Sequence, residues 1–308
     1  MVVYHYCSVD TFHAIATKKT IRLSDITKSN DSMEIMWITQ YIKDVFGEVF
    51  DSEDARYFKQ NYPNSLFEEL LNHYQLDFFD ENKRIYSHYV GCFSEKGDVL
   101  SQWRGYADDG KGVAVGFDSE LLSSIGLPAK DDPISSKLLY FGKVDYSEYT
   151  QKQTVKRAAR QLIEELKLIA KKHSINDIDL IKQKSIAPFN RCFLNLFNQA
   201  IFIKSPFFRE EIEYRICQWI DNRSGDPKVE KAHLNNNIVF EKFSFENRDG
   251  NLVSYFDLCF KECPQPFIKQ VVIGPKSKIT KADVCRFLLN NGIELSVKNI
   301  IYSEGTYR

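Results

Sequence analysis

The sequence predicts an α+β fold: a mixed, mostly antiparallel sheet core with surrounding helices. Three observations carry this expectation. Segments with helical period and segments with strand character are interspersed without strict alternation, which disfavours a doubly wound sheet. The 308 residues are 43% hydrophobic and 27% charged, an ordinary globular composition rather than a disordered one. Aromatic residues make up 14%, with 23 Phe and 16 Tyr, so the core is expected to be built largely of rings.

The elements follow in order. Val2 to Cys7 is β-branched and aromatic and reads as a strand. Ser8 can cap a helix whose Phe12, Ile15 and Ala16 share one face. A second strand is expected at Ile21 to Leu23, a polar turn at Thr27 to Asp31, and an amphipathic helix from Ser32 to Phe50. Another helix is expected from Ser65 to about Phe79. Strand character returns at Tyr89 to Phe93, at Gly112 to Phe117 and more weakly at Leu138 to Val144. A long helix from about Thr150 to His173 carries Val155, Ala159, Leu162, Leu166 and Ile169 on one stripe. Pro188 is taken as the first turn of a helix reaching Ile203. Ile212 to Ile220 and Gln270 to Ile273 read as strands. Thr280 caps a helix stopped by Asn291-Gly292, and Glu294 to Ser303 supplies short strands. The expected organisation is one domain over 1–308, with a helical insertion at about 145–204.

Composition narrows the function. The formal charge is −1, and no Lys/Arg run marks a nucleic-acid footprint. Seven scattered cysteines form no C-x-x-C pair, and the six histidines lack ligand spacing, so no metal site is expected. No apolar run approaches a membrane span and no signal peptide is evident, so a cytoplasmic protein with free, inert thiols is expected. Phosphate-loop, dinucleotide-fingerprint and nucleophile-elbow motifs are missing.

Four clusters remain. Tyr4-His5-Tyr6 places His5 on the strand face opposite both tyrosines. Asn30-Asp31 with Glu34 precedes a helix. Ser101 to Asp109 gathers Trp103, Arg104, Tyr106 and two carboxylates before a strand. In the fourth cluster, strand geometry points Glu211, Glu213 and Arg215 one way, with Ile212 and Tyr214 the other. A carboxylate pair beside an Arg is suited to keeping one acid ionised while tuning its neighbour.

Taken in this order, and with Cys92-Phe93-Ser94, Gly112 to Phe117, Val272 to Pro275 and Ser303 to Arg308, these clusters resemble the bacterial domain-of-unknown-function family numbered twenty-nine seventy-one. More distantly, an opening strand bearing a His and a late strand bearing Glu-x-Glu look like the ADP-ribosyltransferase fold. That fold's Ser-Thr-Ser strand and His-Gly-Thr opening are absent here. The second resemblance implies that NAD is a substrate. His5 would hold its ribose and Trp103 or Tyr106 would stack on nicotinamide. Tyr4 and Arg215 would join them in binding NAD, and Glu213 or Glu211 would be catalytic. The expected function is an NAD-consuming or ADP-ribosylating effector of the toxin or phage-defence type. His5, Trp103, Tyr106, Glu213 and Arg215 are then expected to converge on one cleft, and Glu213→Gln to leave the fold intact. The alternatives are a metal-dependent nuclease or phosphodiesterase using Asp31, Glu34, Asp108 and Glu213, and a non-catalytic nucleotide-sensing or partner-binding module.

Overall fold

The structure, a computed structural model, describes residues 1–28, 35–125, 139–221, 232–241, 243–248 and 250–307. Asn30, Asp31 and Glu34 of the second cluster therefore lie outside the described residues. The chain divides into two compact units: Met1–Asn30, Ser87–Val144 and Phe207–Arg308 form one, Asp31–Tyr86 and Asp145–Pro206 the other.

The first unit is built on a sheet. Its strands are β1 (Val2–Cys7), β2 (Thr20–Asp25), β3 (Tyr86–Ser94), β4 (Val113–Asp118), β5 (Tyr140–Lys143), β6 (Glu213–Asp221), β7 (Ala232–His233), β8 (Val239–Phe240), β9 (Ser244–Arg248), β10 (Asn251–Cys259), β11 (Ile268–Ile273) and β12 (Ile300–Tyr302). They pair in the order β12-β11-β4-β1-β3-β2-β10-β8-β7, with β9 on β10, and β5 attached through β6 to β3. β11 and β12 run parallel; the pairings of β1 with β4, β2 with β10 and β5 with β6 are antiparallel. The α+β class and the mostly antiparallel sheet expected from the sequence are thus present.

One strand organises this unit. β3 meets β1 at Ser94, meets β2 at Tyr89 and Val90, and also pairs with β6. The Glu95 N–H continues that last contact by donating to the Ile212 carbonyl at 2.9 Å. Gly91 lies at this junction, where a Cβ would stand 3.1 Å from the Ile216 side chain and 3.6 Å from that of Ile21.

Alternation gives the sheet two unlike faces. One is apolar: Val3, Cys7, Leu23, Phe93, Val115, Ile216, Phe256 and Val271 are buried in a single cluster. Helices Val9–Lys18 and Lys281–Asn290 cover it, with Phe12 packing edge-on against Phe287 at 5.5 Å. Their caps form as the sequence reads. Ser8 accepts from the Thr11 N–H, and Thr280 forms a reciprocal capping box with Asp283. On the opposite face, Tyr6, Trp103, Ala107, Ala114 and Val272 form a smaller cluster.

The second unit is helical, with helices Ile42–Asp51, Arg56–Asn61, Asn64–Leu76, Phe78–Ile85, Glu148–Lys172 and Ile178–Ala200. Rings fill its core: Phe50 stacks on Phe67 at 4.8 Å, and Phe193 meets Tyr74 at 5.1 Å and Phe46 at 5.7 Å. The helical stretch expected at about 145–204 belongs to this unit together with residues 31–86. Three boundaries differ from expectation. Within the helix expected from Ser32 to Phe50, the described residues form a short 3-10 turn, Trp37–Tyr41, leading into the helix Ile42–Asp51. The next breaks at Asp77. Pro188 lies inside the helix Ile178–Ala200 rather than at its start. Its missing N–H and ring disfavour that position. The buried stripe Ile181, Ser185, Pro188, Phe189, Cys192 and Phe193 continues through it, so packing on both sides outweighs the local cost.

Candidate functional site

The opening strand separates the first two candidates. His5 alternates with Tyr4 and Tyr6 and turns toward the apolar face, its ring edge-on to Phe93 at 6.0 Å. Its Nδ1 lies 2.9 Å from the Cys92 carbonyl oxygen. Burial holds its pKa below the usual histidine value, opposed by that carbonyl contact. Tyr6 packs on the other face against Trp103, rings 4.8 Å apart and steeply inclined. The Tyr6 hydroxyl donates to the Lys96 carbonyl at 2.8 Å and accepts from the Val99 N–H at 3.0 Å. Tyr4 donates to the Gln270 amide oxygen at 2.5 Å.

Trp103 is only 1% exposed, in a short helix, Leu100–Tyr106. Its Nε1–H donates to Asp98 Oδ1 at 2.6 Å. Asp98 also accepts from the Ser303 hydroxyl at 2.6 Å and the Glu304 N–H at 2.7 Å. Nothing in the sequence around Asp98 marks this role beyond a Gly-Asp turn ahead of a helix. Tyr106, by contrast, is 45% exposed, and its hydroxyl donates to Glu211 Oε1 at 3.3 Å.

At the late strand, Glu211 closes a 3-10 turn and Glu213 begins β6. Ile212 between them has φ 42°. A left-handed backbone is unusual for a β-branched residue and costs roughly 1–3 kcal/mol. The kink breaks the expected alternation, and the two carboxylates part. Glu213 is 5% exposed and Arg215 1%; Arg215 Nε and Nη2 donate to Glu213 Oε1 and Oε2, each at 2.9 Å. Glu211 instead meets Tyr106, its backbone carbonyl accepting from Ser94 Oγ at 2.7 Å. Ser94 is thus a positioning group for the Glu211 turn.

Tyr214 and Ile216 pack toward the apolar core, so Glu213 and Arg215 share the face of Tyr4, Tyr6 and Trp103. His5 is on the other face. The expected convergence of His5, Trp103, Tyr106, Glu213 and Arg215 on one cleft does not occur: His5 turns into the apolar core, and Trp103 is committed to Tyr6 and Asp98. What the fold brings together is Tyr106 with Glu211 and Glu213 with Arg215. Asp108, the carboxylate proposed for a metal-dependent alternative, stands 60% exposed in a left-handed turn, 4.0 Å from Lys111 Nζ. Among the described residues, no group of three or more His, Cys, Asp or Glu could hold a metal ion, and no helix is long and apolar enough to cross a membrane.

These features define an α+β protein with an open, mostly antiparallel sheet and a strained carboxylate turn at the start of β6. Residues 102–216, which span Trp103, Tyr106, Glu211, Glu213 and Arg215, match the family described as Protein of unknown function (DUF2971), the family that the sequence clusters resemble. No curated protein and no solved structure matches the chain.

Proposed function

We propose that the protein is an NAD-consuming or ADP-ribosylating effector, of the toxin or phage-defence type, in which Glu211 is the working carboxylate. The carrying observation is the left-handed Ile212, which separates a half-buried Glu211 from a Glu213 clamped by Arg215. Strained backbone of this kind concentrates at functional positions. When the bond between nicotinamide and ribose breaks, its electron pair leaves with nicotinamide and positive charge develops on the sugar. A fixed carboxylate stabilises that charge. In this reading Tyr106 orients Glu211 and offers a ring for nicotinamide, while the Glu213–Arg215 pair holds the strand beneath. The seven free cysteines fit a reducing cytoplasm.

The test is nicotinamide release from NAD, with and without EDTA, for wild type and Glu211→Gln. Release that survives EDTA and falls about 100-fold or more in the variant is the expected result. Wild-type protein that releases none overturns the reading. A non-catalytic nucleotide-sensing or partner-binding role is the second reading, favoured by the seating of His5 away from Glu211 and Glu213.

A further inference from the structure

Helices Glu148–Lys172 and Ile178–Ala200 of the helical unit enclose a groove of about 250 Å3. Arg157, Gln161 and Glu165 line one wall at four-residue spacing, so they stack along one helix face. Arg191, Asn195 and Gln199 line the other wall at the same spacing. The groove exists because small residues meet at its floor: Cys192 Sγ approaches the Ala158 carbonyl oxygen at 3.6 Å. The Cys192 thiol is pushed up to about 12 by burial and by Glu165, so it stays neutral and contributes no charge.

The lining charges are two guanidiniums and one carboxylate. Glu165 holds Arg191 through a single contact, Nη2 to Oε2 at 2.6 Å, which engages one of the five N–H donors of that side chain. Arg157 is exposed, and its hydrogen bond is to the neutral Thr154 hydroxyl at 3.2 Å. Among the described residues it has no carboxylate partner. Three amide side chains add donors and acceptors suited to hydroxyl groups.

From this lining we infer that the groove binds a small hydroxylated phosphate monoester, with Arg157 and Arg191 on the phosphate and the amides on the hydroxyls. One arginine fork satisfies the two oxygens of a carboxylate; the three oxygens of a phosphate take donors from both helices at once. The volume suits a pentose phosphate better than a dinucleotide. The inference is independent of the proposed NAD chemistry, since each of its residues belongs to the helical unit.

The test is calorimetric titration of the full chain with ribose 5-phosphate, ribose and inorganic phosphate, at low and high salt. Saturable binding of ribose 5-phosphate is expected, weaker binding of phosphate, and none of ribose. Because phosphate dominates, affinity should fall with ionic strength. Arg157→Gln removes an exposed cation, leaves the helix core untouched and should weaken binding about tenfold or more. Ala158→Leu, filling the floor, should abolish it in protein whose circular dichroism is unchanged. Failure of ribose 5-phosphate to bind overturns the inference, as does equal affinity for wild type and Arg157→Gln.

Discussion

Replacing Glu213 by Gln isolates the energetics of the buried pair beside the candidate site. Both carboxylate oxygens accept from Arg215, and the two side chains are 7% and 1% exposed. Gln keeps one acceptor oxygen but sets an amide N–H2 against a guanidinium N–H, and it removes the carboxylate charge that faces the buried guanidinium. Breaking such a pair by removing one partner costs about 3–5 kcal/mol. The retained hydrogen bond to a charged group returns roughly 1.5 kcal/mol, leaving a net loss of about 2–3 kcal/mol. At roughly 2–3 °C per kcal/mol for a large domain, the melting temperature should fall by about 4–9 °C. The assay is thermal and urea unfolding of wild type, Glu213→Gln and the double variant Glu213→Gln/Arg215→Met. The double variant should recover much of the loss, because an apolar replacement of both partners leaves no buried charge unpaired. A single variant that melts at or above wild type would refute the reasoning.

Burial holds the His88 imidazole down to about 4, so its neutral form is the folded one. Its stabilising effect is therefore complete above the ordinary histidine value and is lost as pH falls toward 4, by about 2 kcal/mol between about pH 7 and about pH 5; comparing urea midpoints of wild type and His88→Leu at both pH values should show the shallower pH dependence in the variant. Gly112→Ala would place a Cβ 2.0 Å from the Cys7 carbonyl oxygen, a backbone clash expected to cost more than about 4 kcal/mol and to leave little folded protein in a solubility assay. Thiol titration of native protein should modify the exposed Cys92 first, with buried Cys7, Cys192 and Cys217 reacting only on unfolding; fast reaction of Cys217, whose thiol burial pushes up to about 12, would contradict the packing.

Local signals in the sequence located much of the fold. β1, the helix after it and its Ser8 cap, and the capping box at Thr280 follow from neighbouring residues alone. β9 and β10 are joined at a step the sequence marks only by Asp249-Gly250, a strong hairpin signal, and Gly250 adopts φ 79°. Alternation correctly put His5 opposite Tyr4 and Tyr6. The expectation of a common cleft nevertheless needed the relative facing of β1 and β6, which depends on how each registers with β3. Strand alternation likewise failed at Ile212, where tertiary ties on both sides impose a conformation its side chain disfavours. The sequence therefore reads Glu211 and Glu213 as one carboxylate pair on a single strand face beside Arg215, whereas the left-handed Ile212 sets Glu211 in a turn against Tyr106 and starts β6 at Glu213, clamped by Arg215.

The shared strand β3 also sets the order in which the sheet can assemble. Its partners β1 and β2 leave the ribosome before it, but the edge that receives β6 waits for more than a hundred residues of later chain. β2 waits longer still, since Arg22 pairs with Asp257 at a separation of 235 residues. Closing such long loops is slow, and an unpaired strand edge is a template for association with other chains. A nascent chain halted before residue 212 would carry its helical unit and an unfinished sheet. Synthesis rate and chaperone supply, rather than equilibrium stability, should then govern how much of this protein reaches its native state.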